Sequence, residues 1–205
     1  MPTKKAKPII QPEELIWAYS QGIFPMSDES DSEEVIWYTA IKRGIIPLDG
    51  FKVSKNVRQR IKQGKFKISV DKAFKKVMKA CAERETTWIS GIIIRSYYEL
   101  FKLGYAHSVE VWSEDGSELI GGLYGASLGK AFFGESMFSL VSNSSKVAFH
   151  YLVQILREQN YSLLDSQFMN DNVLRYGAIE ITRSEYKKRL TNALKSTCDF
   201  QKPTI

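Results

Sequence analysis

Three polar side chains interrupt apolar segments in the C-terminal half of this sequence. Glu135 is the lone carboxylate in the run Phe132-Phe-Gly-Glu-Ser-Met-Phe-Ser139, and Asp165 and Gln167 follow a pair of leucines. Because successive side chains of a strand point to opposite faces, Asp165 and Gln167 share one face while Leu164 lies on the other. A carboxylate in a buried strand is costly unless it is paired or reaches water. We therefore expect these residues either to perform acid–base or positioning chemistry, or to form a core hydrogen-bond network or a buried ion pair.

The run Gly125-Ala-Ser-Leu-Gly129 matches the G-x-S-x-G pattern that carries the nucleophile of many hydrolases. In those enzymes the serine lies between a strand and a helix, whereas the flanking sequence here indicates strand, turn and strand. The order of an α/β-hydrolase triad is also reversed, because His150 precedes Asp165. Ser127 is therefore interpreted as a small residue in a tight hairpin.

Cysteines and histidines are too few to suggest a metal centre. Cys81 and Cys198 form no C-x-x-C pair, which excludes a structural zinc cluster and favours reduced thiols in the cytoplasm. Lys79 and Arg84 would lower the pKa of the Cys81 thiol, but Cys81 lies on the apolar stripe of a predicted helix, so burial is favoured. We expect no metal and no cofactor. We also expect no membrane contact, because no apolar run approaches the roughly 20 residues that span a bilayer.

Positive charge is concentrated between residues 52 and 84. This segment contains twelve basic and two acidic residues, whereas the whole chain of 205 residues has a net charge of +6. Such a segment repels itself unless an anion binds, and a nucleic-acid backbone is the natural partner. Aromatic residues are sparse there, which favours phosphate contact over base recognition. A solvated helix face is the alternative interpretation.

Length and composition predict one domain of ordinary size with a small additional unit. We expect the small unit at residues 1–40 and the main domain at residues 41–205, with the boundary in a loop-like segment at 41–50. Helices are predicted at residues 12–22, 54–64, 71–85 (with Asp71 as N-cap), 90–104, 143–160 and, opened by a capping box of Thr182 and Glu185, up to 195. Strands are predicted at residues 35–38, 66–70, 106–114, 118–128, 131–138 and 161–168. This order predicts an α+β fold with a largely antiparallel sheet.

The strand–strand–strand–helix–strand order in the main domain suggests an acetyltransferase-like (GNAT-like) fold. That fold binds the pyrophosphate of an acyl-CoA at a glycine-rich turn before its helix, but the corresponding segment here, residues 140–146, contains no glycine. The acyl donor is therefore not expected to be a CoA thioester. The basic segment indicates RNA as the carrier instead.

These segments together resemble the leucyl/phenylalanyl-tRNA–protein transferase family. The matching runs are Gly22-Ile-Phe-Pro, Arg43-Gly, Thr87-Trp-Ile, Leu103-Gly-Tyr-Ala-His-Ser-Val-Glu-Val-Trp112, Gly121-Gly-Leu-Tyr-Gly, Phe133-Gly-Glu-Ser-Met-Phe-Ser139, Asn143-Ser-Ser-Lys146, Asp165-Ser-Gln167, and Gly177-Ala with Arg183 and Tyr186. The chain departs from the family pattern at Met26, where the family usually has an aromatic residue that stacks on the terminal adenosine.

The resemblance implies a small N-terminal domain, a GNAT-like C-terminal domain and a transfer of Leu or Phe from charged tRNA to proteins that begin with Arg or Lys. That transfer marks the acceptor protein for degradation. We expect the enzyme to act as a monomer in the cytoplasm. Two alternatives stay open: a non-catalytic tRNA-binding module on a degenerate acyltransferase fold, and a CoA-dependent GNAT-like acyltransferase.

The resemblance also implies roles for individual residues. Asp165 and Gln167 are the implied catalytic pair, and Glu135 holds polar groups of the aminoacyl end. Trp88 helps to bind the terminal adenosine and the aminoacyl group. An apolar pocket for the transferred side chain is implied at Leu123, Phe132, Met137, Leu152 and Leu164, and a tRNA-binding cluster at Lys55, Arg58, Arg60 and Lys62. Aminolysis leaves two roles open for Asp165, which either fixes Gln167 or takes the proton of the attacking amine.

Overall fold

The computed structural model describes residues 8–28, 34–51, 54–198 and 200. Its helices are α1 (Pro12–Ser20), α2 (Lys55–Lys62), α3 (Phe74–Ala82), α4 (Gly91–Lys102), α5 (Ser144–Glu158), α6 (Asp171–Leu174) and α7 (Arg183–Ala193). Its strands are β1 (Phe24–Met26), β2 (Ile36–Tyr38), β3 (Lys42–Ile45), β4 (Lys67–Val70), β5 (Ala106–Trp112), β6 (Leu119–Leu128), β7 (Ala131–Ser139), β8 (Leu163–Gln167) and β9 (Ile179–Thr182). In this part of the chain, no helix combines the length and apolar character needed to cross a bilayer.

A seven-stranded sheet organises the molecule, in the order β4-β5-β6-β7-β8-β3-β9. Among the described strands, only β7 and β8 pair in parallel, and β1 and β2 form a separate antiparallel pair. The prediction of an α+β fold with a largely antiparallel sheet is confirmed.

Helices cover both faces of the large sheet. One core contains side chains of α1, α3, α4 and α7, and the other contains side chains of α2 and α5. Leu123 and Tyr124 are neighbours on β6 and enter opposite cores, as the alternation of a strand requires. In α5, apolar side chains at helical spacing, such as Leu152, Ile155 and Leu156, are almost fully buried. Each such side chain contributes roughly 1.5–3 kcal/mol, which fixes α5 firmly against the sheet.

The parallel strands β7 and β8 separate after three residue pairs. The last pair is Phe133 with Asp165, and beyond it the facing edges of the two strands are unpaired. Both strands also change register at this point. Tyr124 pairs with Ser136 and Gly125 with Gly134, so Glu135 is an extra residue in β7, and Ser166 is skipped in the same way between β8 and β3. Bulges of this kind redirect side chains, and these two lie at the opening between the strands.

The prediction that residues 41–50 form a loop was wrong for the first part of that segment. Lys42–Ile45 is strand β3, which pairs with β8 on one side and β9 on the other. Gly44 and two later turn residues, Pro47 and Gly50, suggested a loop, but pairing with two neighbouring strands determines the conformation. Strands β1 and β9 and the short helix α6 were not predicted either.

Asp71 is not the N-cap of a helix, as the sequence had suggested. Its backbone is left-handed (φ 59°), and its carboxylate accepts hydrogen bonds from the Ser108 amide at 2.8 Å and from the His107 ring at 2.7 Å. Helix α3 begins three residues later, where the buried carboxylate of Glu110 accepts from the amides of Lys72 and Ala73. A long-range partner on β5 therefore replaces the local cap.

Candidate active site

A cavity of about 430 Å³ opens where β7 and β8 separate. Eight of the residues predicted to form the site line it, and they come from four strands and helices and from the segment before α4. These are Trp88, Leu123, Glu135, Met137, Leu152, Leu164, Asp165 and Gln167. The splayed strands thus bring together the side chains that the sequence separated by up to 79 positions.

The apolar wall of the cavity is formed by Leu123 on β6, Met137 on β7, Leu152 on α5 and Leu164 on β8. Ile46, Phe149 and Tyr176 extend this wall and were not predicted. Tyr176 donates its hydroxyl to the Met137 sulfur at 3.4 Å, which holds one edge of the wall. The structure does not bring Phe132 to the surface of the cavity. Phe132 is fully buried, and its ring stacks on Phe200 with the ring centroids 5.4 Å apart.

Asp165 forms a closed hydrogen-bond network in the core. Its carboxylate accepts from Arg43 Nε at 2.9 Å and Arg43 Nη2 at 2.7 Å, and also from the Tyr186 hydroxyl at 2.5 Å and the Gln167 amide at 2.9 Å. The four donors occupy the positions at which a carboxylate accepts hydrogen bonds. Asp165 has no exposed surface, so the side chain forms the floor of the cavity without facing its interior.

Arg43 joins three parts of the fold and was missed as a functional residue. Besides Asp165, it donates to the Gly22 carbonyl at 3.0 Å, and its guanidinium lies between the rings of Phe24 and Tyr186, 4.8 and 4.6 Å from their centroids. Burial lowers the pKa of Arg43, but Asp165, with smaller contributions from Tyr186 and Glu135, raises it by more, so the pKa is raised overall. Arg43 therefore stays charged and links the N-terminal segment to β8 and α7.

Gly22 allows this junction to close. Its φ is +74°, and a Cβ atom there would lie 2.7 Å from the Tyr186 ring. A side chain at this position would therefore push α1 away from α7. It would also separate the rings of Phe24 and Tyr186, which enclose the Arg43 guanidinium.

Gln167 ends β8 in a left-handed conformation, with φ at 59°. A residue other than glycine rarely adopts this backbone, and here the hydrogen bond that the Gln167 backbone N–H donates to the Asp165 carboxylate holds it. The side-chain nitrogen donates to Glu135 Oε1 at 3.0 Å. Its carboxamide oxygen accepts no hydrogen bond from the described residues, so this oxygen is the free acceptor of the side chain.

Glu135 is the bulge residue of β7 and faces Gln167 across the opening. Its Oε1 also accepts from the Tyr19 hydroxyl at 2.5 Å, and Tyr19 and Tyr97 hydrogen-bond to each other. Burial raises the pKa of Glu135 to about 7. The negative charge of Asp165 adds to this rise, and the hydrogen bonds from the two tyrosines and the Arg43 cation oppose it. The sequence did not reveal Tyr19 and Tyr97 as partners of this carboxylate.

Trp88 lines the cavity beside the end of β1. The Ser27 amide donates to the Trp88 carbonyl at 3.1 Å, and the hydroxyls of Ser27 and Ser90 are 2.7 Å apart. Met26 and Trp88 both pack, partly buried, against the same core. The N-terminal segment is thereby joined to the wall that contains Trp88.

The predicted tRNA-binding residues lie together on one helix. Lys55, Arg58, Arg60 and Lys62 are exposed on α2, whose single buried residue is Val57, and Ser54 caps the helix by accepting from the Val57 amide. Within the described residues these four cations form no ion pair. Helix α2 packs against α5, and Phe51 just before it contacts Phe149 and Tyr176 in the cavity wall. Lys52, also part of the basic segment, lies outside the described residues.

The other nucleophile candidates have structural roles. Ser127 lies on β6 before a turn at Gly129, and its hydroxyl hydrogen-bonds to Tyr161 at 2.7 Å, so no nucleophile elbow exists there. Cys81 is fully buried, and burial raises the pKa of its thiol to about 12 despite the opposing Arg84 cation.

Comparison with family models finds two matches along the chain. Residues 45–191 match the model described as leucyl/phenylalanyl-tRNA protein transferase, and residues 9–40 match the model of the N-terminal domain of the same enzymes. Curated relatives with that name extend over nearly the whole chain. The enzyme of Cereibacter sphaeroides is 47% identical over 193 residues, which cover 94% of this chain and 89% of the relative. The enzyme of Gloeobacter violaceus is 47% identical, with 94% and 98% covered.

A solved structure shows a similar fold at much lower identity. The crystal structure of FemX superposes with a TM-score of 0.52 at 12% identity, covering 80% of this chain and 65% of that chain. This similarity concerns the fold alone, and it agrees with the GNAT-like architecture expected from the order of strands and helices.

Proposed function

Because the chain belongs to the leucyl/phenylalanyl-tRNA–protein transferase family, we propose that it transfers Leu or Phe from charged tRNA to proteins whose first residue is Arg or Lys. The family uses aminoacyl-tRNA and acceptor proteins, so the chain is an aminoacyltransferase, and the two alternatives left open by the sequence are set aside. The new N-terminal residue marks the acceptor for degradation. We propose that the enzyme acts in the cytoplasm and as a monomer.

The observation that supports this proposal most strongly is the position of the Gln167–Glu135 pair at the rim of an apolar cavity. An aminoacyl ester is already activated, and an α-amine with a pKa of about 7.7–8.0 is roughly one tenth neutral at pH 7. Holding the amine against the ester carbonyl lowers the activation free energy by up to about 7–11 kcal/mol. The site therefore needs to orient its substrates more than to activate them.

Gln167 is suited to orient the attacking amine. Its nitrogen is committed to Glu135, so its carboxamide oxygen is available to accept a hydrogen bond from the α-amine. Asp165 acts through Gln167. The carboxylate holds the Gln167 amide and has no free acceptor position left for a substrate proton. We therefore assign Asp165 as a positioning residue and Gln167 as the residue in contact with the acceptor.

The apolar wall selects the transferred side chain by shape. Leu123, Met137, Leu152 and Leu164 line the cavity, and we expect the space between them to accept a side chain without a branch at Cβ. Glu135 holds the polar groups of the aminoacyl end, and Trp88 with Met26 provides the surface for the terminal adenosine. The cations of α2 bind the tRNA backbone, because they are exposed, unpaired among the described residues and close to the helix that forms part of the cavity. We propose residues 1–40 as the N-terminal domain and 41–205 as the catalytic domain.

The experiment that tests this function offers the protein single labelled amino acids on total tRNA and peptides that differ only in their first residue. We expect label from Leu or Phe on peptides that begin with Arg or Lys. Ile and Val should be transferred about 10- to 200-fold less efficiently, because a branch at Cβ does not fit the pocket. No transfer of any amino acid would refute the function, and equal transfer of Leu and Ile would refute the role of the pocket.

A further inference from the structure

The aminolysis reaction leaves one requirement unassigned. The attacking amine must lose a proton, and the ribose oxygen that leaves the ester must gain one. Gln167 holds no proton, because a neutral carboxamide is too weakly basic. Asp165 is surrounded by four donors and paired with Arg43, so accepting a proton would break a buried ion pair.

Glu135 is the remaining carboxylate of the cavity. Among the described residues that line it, Glu135 and Asp165 are the carboxylates, and no histidine or cysteine is present. The bulge in β7 places Glu135 at the opening, with its Oε1 3.0 Å from the Gln167 nitrogen, so an amine held at the oxygen of the same carboxamide can pass its proton to Glu135 directly or through one water. Unlike Asp165, it is only partly buried.

We propose that Glu135 is the acid–base residue of the transfer, a role that rests on the proposed function. The amine nitrogen forms a bond to the ester carbonyl carbon, and its proton moves to the Glu135 carboxylate. When the bond between that carbon and the ribose oxygen breaks, Glu135 returns the proton to this oxygen. The products are an amide and a free ribose hydroxyl, and Glu135 ends as the carboxylate with which it began.

The surroundings of Glu135 suit a group that both accepts and donates a proton near neutrality. The charged and titratable groups that face it are Tyr19 on α1, Tyr97 on α4, Tyr124 on β6, Arg43 on β3 and Asp165 on β8. Burial and the Asp165 charge raise the pKa of Glu135 to about 7, although Tyr19, Tyr97 and Arg43 each lower it. General acid–base catalysis is most effective when the pKa lies near the working pH.

The test compares kcat of the wild-type protein and the Glu135→Gln variant from about pH 5.5 to 8.5, with saturating leucyl-tRNA and one peptide that begins with Arg. The acceptor amine titrates identically in both reactions, so the ratio of the two rates isolates Glu135. Below pH 7 the carboxylate is protonated and cannot accept, so the wild-type advantage should be small. We expect the ratio to rise through a pKa near 7 and to reach about 10²–10⁴.

Two further variants make the result decisive. Glu135→Asp keeps a carboxylate and should retain a pH-dependent ratio at a reduced rate, whereas Glu118→Gln, on an exposed hairpin, should match the wild type throughout. A loss confined to KM, or a ratio that is constant with pH, would overturn the proposal while leaving the transferase function intact. If Glu135→Gln does not fold, a Glu135→Asp profile identical to the wild type in rate and pH dependence would overturn it equally. Absence of transfer by the wild type would instead refute the proposed function.

Discussion

Replacing Gln167 with Ala is expected to lower the rate of Leu transfer by at least about 100-fold and to leave tRNA affinity unchanged. The carboxamide oxygen of Gln167 is the acceptor that orients the amine, and misplacing a reacting group by about 1 Å is enough for such a loss. The effect should fall on kcat, because the interaction matters most in the transition state. Single-turnover transfer from leucyl-tRNA, together with a tRNA-binding titration, measures both quantities.

A variant of helix α2 is expected to show the opposite pattern, with tRNA binding affected and the transfer step largely unaffected. Changing Lys55, Arg58, Arg60 and Lys62 together to Ser should weaken tRNA binding. The plot of the logarithm of the binding constant against the logarithm of the salt concentration should also become shallower, by about 0.9 for each phosphate that is no longer neutralised. Transfer at saturating tRNA should be largely retained. If Gln167→Ala weakened tRNA binding and left single-turnover transfer unchanged, the assignment of Gln167 to the reaction would be wrong.

Replacing Arg43 with Ala is expected to lower the free energy of unfolding by about 3–5 kcal/mol. The substitution leaves the Asp165 carboxylate buried without its cation and removes the bond to the Gly22 carbonyl. It also leaves a cavity between the rings of Phe24 and Tyr186. Transfer should fall with stability, because Asp165 then no longer holds the Gln167 backbone. Urea unfolding followed by circular dichroism measures the change in stability.

Two comparisons separate the ion pair from general effects of removing an arginine. Arg183→Ala removes an exposed side chain at the start of α7 and should change stability by no more than about 0.5 kcal/mol. Arg43→Lys keeps the charge but cannot make the two-point contact with Asp165, so it should be intermediate. Equal stability of the Arg43→Ala and Arg183→Ala proteins would show that the Asp165 pair contributes little.

The sequence predicted the residues that line the cavity better than the residues that support them. Asp165, Gln167 and Glu135 stood out because each is a polar residue in an apolar strand, a pattern that is costly without a partner. The partner of Asp165 was not found. Arg43 lies in a segment with Gly44, Pro47 and Gly50, which suggested a loop and concealed a strand that pairs between β8 and the edge strand β9. A buried Asp requires a cation, but the chain has 29 Lys and Arg residues, and the sequence alone does not say which of them pairs with Asp165.

The conformations at the opening also depend on distant partners. The bulge at Glu135 exists only in the pairing of β6 with β7, and the left-handed backbone of Gln167 is held by Asp165. Local sequence contains no signal for either feature. By contrast, α5 follows from hydrophobic periodicity, because it buries one regular face, and the strands from β5 to β8 follow from apolar runs, because both of their faces enter a core.

A crystal structure with a non-hydrolysable aminoacyl-adenosine, in which an amide replaces the ester, tests the central claim most directly. We expect the amino-acid side chain to lie against Leu123, Leu152 and Leu164, in the opening between β7 and β8. The polar atoms at the reacting carbon should lie within about 2.6–3.2 Å of Glu135 or face Gln167. An analogue bound on another surface, with this cavity left empty, would contradict the account.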